Sequence, residues 1–197
     1  MTYEQLSALV AFAFVTSITP GPNNMMLMAS GANYGVRRTV PHMLGVATGF
    51  VIMAVLVGAG LVQVFDAVPA LHTALKIVSV AYLLYLAWKI ATAPPPTPAG
   101  RAGKPMTFLA AALFQWVNPK AWAMALTAVT VYAPTQTIAG LTLVSVTFGV
   151  INLPAVGCWA MLGQQMRRVL TNAGRLRAFN TIMAVLLIAS LYPVVRG

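Results

Sequence analysis

Apolar residues along this chain come in long runs, and the polar residues that punctuate them fall at regular places. A membrane-crossing helix takes roughly 20 mainly apolar residues. Six stretches qualify, at about 5–32, 41–63, 71–92, 107–132, 137–162 and 177–195, with short connections between them. Two of the six carry a polar interruption. In the first, LSALVAFAFV (6–15) and MMLMASGA (25–32) flank ITPGPNN (18–24), and neither flank is long enough to cross a bilayer alone. In the fourth, LAAALFQWVNPKAWAMALTAV (109–129) contains QWVNPK (115–120). Both interruptions set a capping residue before a proline, Thr19–Pro20 and Asn118–Pro119. Thr and Asn side chains accept a hydrogen bond from a free N–H at a helix start. Proline fits the first helical position, because its missing N–H has no partner to lose there; Pro22 falls in the same first turn. The pattern predicts two membrane helices that each stop and restart in mid-span.

Composition agrees with a bilayer setting. Of the 197 residues, 59% are hydrophobic and 7% charged, and mean hydropathy is +0.82. A soluble domain carries about 25% charged residues, so this chain cannot cover its surface with polar groups. The net charge of +10 invites a nucleic-acid partner, but the basic residues sit in short clusters between apolar runs. Of the twelve Lys and Arg, nine fall on or beside alternate connections: Arg37, Arg38, Lys89, Arg101, Lys104, Arg167, Arg168, Arg175 and Arg177. The positive-inside rule then sets the first, third and fifth connections in the cytoplasm and both termini outside, with no nucleic acid among the partners. The N-terminus lacks the basic start of a cleavable signal peptide. A single cysteine, Cys158, excludes an internal disulfide and a Cys-rich metal site.

The segment APPPTPAGRAGKPM (93–106) reads as a stiff extended linker. It divides the chain into 1–92 and 107–197, each with three spans. Three is odd, so the second half enters the membrane the opposite way up, the plan of an inverted-repeat transporter with its site at the bilayer midplane. The expected fold is therefore an all-α integral membrane protein of six transmembrane helices, two inverted three-helix repeats, with the first and fourth helices broken.

Irregular backbone at membrane depth survives where it is buried in protein or lines a wet cavity. A helix start also presents free N–H groups and partial positive charge. Two such starts, from opposite faces, predict a site for an anionic group built from Thr19, Pro20, Gly21, Pro22, Asn23 and Asn24 with Asn118, Pro119 and Lys120. Gly21 would let backbone come close to the substrate. Lys120 is the second residue of its restarted helix, where the dipole disfavours a cation; either a substrate carboxylate offsets that, or the ammonium snorkels or pairs with a backbone carbonyl. No Asp or Glu lies in any span; the chain has Glu4 and Asp66 alone. A zwitterion fits best: carboxylate on the helix starts and Lys120, ammonium on freed carbonyls and on the side-chain oxygens of Asn23, Asn24, Asn118 or Asn152. No buried carboxylate stands out to carry a coupling proton. Gly45 and Gly49 form a small-xxx-small pair, read as a helix contact. Met25, Met26 and Met28 read as packing, and His42 and His72 as interfacial. No metal site or cofactor is expected.

TPGPNN, GANYGVRRTVPHMLGVATG (31–49) and QWVNPKAW (115–122) together resemble the lysine exporter (LysE/RhtB) superfamily over essentially the whole chain, and the stretch after TPGPNN looks closest to members that export cysteine and O-acetylserine. The resemblance implies a bacterial cytoplasmic-membrane protein that exports amino acids or their derivatives on the proton gradient. Members that export basic amino acids would be expected to supply acidic groups, which these spans lack. The sequence thus points to a secondary transporter of small, mostly neutral amino acids, of the cysteine, O-acetylserine, homoserine or threonine type, working by alternating access in a lipid bilayer, with a second copy of the chain as a candidate partner. Two rivals stay open: export of a small monocarboxylate or other anion, and a non-transporting assembly protein. An enzyme fails on chemistry, since the spans hold no paired carboxylates, His cluster or Cys pair.

Overall fold

The chain's first helix starts at a capping box, with Thr2 and Gln5 exchanging side-chain and backbone hydrogen bonds, and runs as α1 over Tyr3–Ile18. It stops because proline disfavours helical geometry in the residue before it: Thr19, ahead of Pro20, has φ −66° and ψ 144°. The computed structural model describes residues 1–93, 103–133 and 137–192, without the side chains of Val62, Asp66 and Pro69. All its regular elements among the described residues are helical.

After the break, α2 spans Pro22–Tyr34 with Pro22 at its first position. Gly35, at φ 81°, turns the chain in one residue into α3, Val36–Leu56; a side chain there would be strained. A π-helical stretch, Val57–Leu61, extends α3 to the short α4, Val62–Ala67, and α5 follows as Pro69–Ala91. The linker expected at 93–106 lies mostly outside the described residues. The second half begins with α6, Phe108–Phe114, capped by Thr107, and a 3₁₀ turn over Gln115–Val117. Then come α7, Pro119–Tyr132, α8, Ile138–Met166, and α9, Ala173–Ala189. Both interruptions expected from the sequence are therefore breaks, but the first is placed differently. Helix α2 restarts at Pro22 with Gly21 as its cap, so Thr19 closes α1 and does not cap α2. Pro20 sits in the extended joint between them.

Three helices are long and apolar enough to cross a membrane by themselves: Val36–Leu61, Ala70–Ala91 and Ile138–Met166, of 26, 22 and 29 residues. Burial is inverted relative to a water-soluble domain. Val150, Leu109 and Ile77 are 63–67% exposed, whereas Gln115, Asn180 and Thr39 are fully buried. An apolar belt of this extent is a lipid-facing surface, with the polar side chains turned to the bundle interior.

Helix α8 organises the packing. It runs alongside α1 and α2 in the same direction: Phe12 meets Phe148, Ser17 meets Asn152, Ile18 meets Trp159 and Val36 meets Gln164. The crossing is backbone on backbone, since a Cβ on Gly31 would strike the Ala160 carbonyl and one on Gly163 the Met28 carbonyl. Likewise α3 runs alongside α6, with Gly45 against Phe108 and Gly49 against Ala112, the close helix contact expected of that glycine pair. Helix α3 opposes α8, where Gly157 approaches Met43 and Gly149 approaches Val51. Met25 and Met26 are core residues. His42, read as interfacial, is turned into the protein: helix α3 starts at Val36, earlier than the apolar run suggested, and two turns in the imidazole is 1% exposed inside the bundle.

Candidate functional site

Where α1 stops, its last carbonyls lose their helical partners, and inside a membrane each must find another. Thr19 N–H returns to Val15 O (3.1 Å), and the Thr19 hydroxyl donates to Thr16 O (3.0 Å). Asn24 Nδ2, from the first turn of α2, donates to Ser17 O (2.9 Å) and Thr19 O (2.7 Å). Trp159 Nε1, from α8, donates to Ile18 O (3.0 Å). Lys120, from α7, supplies the remainder: its Nζ donates to Thr19 O (2.6 Å), Thr19 Oγ1 (3.0 Å) and Pro20 O (3.2 Å). Three helices thus saturate one broken end.

Lys120 therefore links the two breaks. It is the second residue of α7, whose own dipole disfavours it, and the C-terminal carbonyls of α1 provide the compensating negative end. Its side chain passes over Gly21 so closely that a Cβ there would lie 2.6 Å from Lys120 Cδ. What Gly21 admits in this conformation is the lysine. The other break is capped as the sequence indicated: Asn118 Oδ1 accepts the Lys120 amide (3.2 Å) and Pro119 opens α7. The cap of α2 has no side chain, which leaves the first-turn amides of α2 without a capping group.

Between the breaks lies a cavity of about 20 Å³, lined by Gly21, Asn23, Asn24, Asn118, Lys120 and Asn152 among the expected residues. Thr19, Pro20, Pro22 and Pro119 do not line it; the first two hold the Lys120 ammonium through backbone oxygens, and the other two start helices. A volume of about 20 Å³ admits roughly one water molecule, far too little for an amino acid. Asn23 is paired with Gln115 in both directions, Nδ2 to Oε1 at 2.8 Å and Nε2 to Oδ1 at 3.3 Å. Asn152 Nδ2 donates to Ser17 Oγ (2.9 Å), while Asn152 Oδ1 is buried with no partner among the described residues. Of the four asparagine oxygens expected to receive an ammonium, that of Asn118 is occupied by its cap and that of Asn152 is the one buried and vacant.

Gln115, Ser17 and Trp159 were not singled out from the sequence. Gln115 was legible: an amide in an apolar span, one residue class that membranes tolerate only for a reason. Ser17 and Trp159 carried no signal, since both sit in runs that read as packing.

A family model described as "LysE type translocator" matches residues 14–190. The chain is 34% identical over 193 residues to the "Cysteine/O-acetylserine efflux protein" of Escherichia coli (strain K12), covering 95% of this chain and 96% of the relative. The same identity and coverage hold for the protein of that name from Shigella sonnei (strain Ss046). No solved structure matches the chain.

Proposed function

Because this chain belongs to the LysE type translocators, as a multi-pass inner-membrane transporter and not an enzyme, we propose that it exports small, mostly neutral amino acids or their derivatives by alternating access. Cysteine and O-acetylserine, the solutes in its relatives' names, lead the candidates, with homoserine and threonine beside them. The observation that carries this reading is the Lys120 tether. The ammonium of one half is held by the broken helix end of the other, with the orphan Asn152 oxygen beside them.

A zwitterion replaces that tether without leaving a polar group unpaired. When the halves part, its carboxylate takes the Lys120 ammonium and the first-turn amides of α2, while its own ammonium takes the Thr19 and Pro20 carbonyls and Asn152 Oδ1. A monocarboxylate satisfies Lys120 but leaves Pro20 O without a partner, Thr19 O keeping Asn24 Nδ2. A hydrogen bond to a charged group is worth about 1.5–3 kcal/mol, or roughly tenfold to a hundredfold in affinity. The site residues proposed on this basis are Thr19, Pro20, Gly21, Asn23, Asn24, Asn118, Lys120 and Asn152, with Pro22 and Pro119 fixing the helix starts.

We read the chain as six spans in two inverted halves, 1–92 and 107–197 joined by 93–106, a plan that suits this mechanism. Helices α1–α2 run with α8, and α3 runs with α6, while α3 opposes α8, a pattern that supports that reading. The clustered basic residues put both termini outside, and the proton gradient supplies the energy.

The test is export from loaded proteoliposomes, with O-acetyl-L-serine and L-threonine inside and the deaminated analogue of each as competitor. The amino acids should leave in a protein-dependent way, faster with an imposed pH gradient, and each analogue should compete at least about tenfold more weakly. Equal competition by the analogues would transfer the reading to a monocarboxylate carrier.

A further inference from the structure

A second cavity, of about 360 Å³, lies between α2, α3, α5, α6 and residues 104–107. Its polar lining includes Ser30, Asn33, His42, Tyr82, Lys89 and Lys104. Three observations single it out. His42 is 1% exposed, and both its ring nitrogens are buried without a hydrogen-bond partner among the described residues. An imidazole always has a donor or acceptor to satisfy, and buried ones nearly always satisfy it. The rim carries two ammonium groups, with Lys89 Nζ turned over the Tyr85 ring at 5.6 Å from its centroid. The acidic residues are Glu4 and Asp66 alone. Asp66 precedes α5, whose far end bears Lys89, about 30 Å along the helix at 1.5 Å per residue. Glu4 opens α1, whereas it is the end of α2 that borders this cavity.

The third observation is continuity. Asn23, Met26, Ser30 and Asn33 follow each other at spacings of three, four and three on α2, one face of the helix. Asn23 lines the central cavity, and the other three line the second one. Met26, between Asn23 and Ser30 on that face, belongs to one buried cluster with Phe114.

We propose that this cavity is a second binding site, which takes a small zwitterionic amino acid with its carboxylate toward Lys89 and Lys104 and with His42 in the wall beside it, before the solute passes to the central cavity. This deepens the export reading and rests on it for the identity of the solute. The basic rim places the site on the cytoplasmic side.

His42 is itself the reporter. The sequence has two histidines, so His72→Gln protein labelled with ¹⁵N at histidine, reconstituted in nanodiscs, gives imidazole signals from His42 alone. Titration with O-acetyl-L-serine should shift those signals saturably. Lys104→Gln, outside any helix, and Lys89→Gln/Lys104→Gln should raise the apparent Kd, the double variant at least tenfold, and raise the KM of export with little change in kcat. Lys120→Met should keep the His42 response while losing export. The proposal is overturned if His42 stays silent at solute concentrations that saturate export, if the lysine variants bind as wild type does, or if Lys120→Met abolishes the His42 shift. Export with a silent His42 removes this site and leaves the export reading standing; a responsive His42 in vesicles that export nothing removes the export reading and leaves the site.

Discussion

At the scale of single residues, the site depends on one cation and the glycine that makes room for it. Lys120→Met removes the charged donor to Thr19 and Pro20 and leaves the Pro20 carbonyl without its partner, Thr19 O keeping Asn24 Nδ2, so export should fall at least tenfold and the purified protein should lose about 1.5–3 kcal/mol of stability, the range for a hydrogen bond to a charged group, read as a lower melting temperature in detergent. Gly21→Ala offers a sharper separation. Its Cβ would meet the far half of a flexible lysine side chain, not backbone, so the fold should survive at normal membrane levels while Lys120 is pushed off its carbonyls and export is lost. Normal export from Gly21→Ala would dissociate the tether from transport. The role of Asn118 and Pro119 was legible because cap and first-turn chemistry is local. The role of Gly21 was not, because the side chain that needs the space comes from about a hundred residues away in sequence.

At the scale of helices, the breaks were readable and their edges were not. The Thr-Pro-Gly-Pro run offers two prolines that fit a first helical turn, and local rules do not choose between them; the choice of Pro22 follows from Asn24 reaching back to Ser17 and Thr19. The burial of His42 was not legible for a related reason. Arg37 and Arg38 suggested a loop, yet Gly35 turns the chain so tightly that α3 begins before them and carries the histidine inward. The α2–α8 crossing has no side chains to yield, so Gly163→Val should disrupt it, at a cost of at least about 1–3 kcal/mol for overpacking, and membrane levels should drop. A substitution of similar size at Val150, on the lipid-facing side of the same helix, should leave levels unchanged. The buried amide pair of Asn33 and Asn180, hydrogen-bonded at 2.8 and 3.3 Å, fixes α2 against α9 in the same neighbourhood and was invisible in a sequence that gives no sign of which polar residues meet.

At the scale of the whole molecule, composition alone assigned the bilayer, and the positions of the basic residues predict a direction for the chain. The closure of the central cavity could not be read from sequence, because it depends on how the two halves meet. Alternating access requires Asn23 on α2 and Gln115 at the end of α6 to separate. Cysteines at 23 and 115, in a Cys158→Ser background and joined by a short methanethiosulfonate cross-linker, should stop export, and reduction should restore it. Export that continues after quantitative cross-linking would mean that the halves part elsewhere.

The glycine crossing of α2 and α8 limits how such a separation can happen. With carbonyl oxygens pressed into both helices and no side chain between them, that point can swivel but has no slack to gape. In the proposed rocking it would act as a fulcrum, as would the glycine contact of α3 with α6, so that widening would appear where side chains and not backbones join the halves, as they do at Asn23 and Gln115.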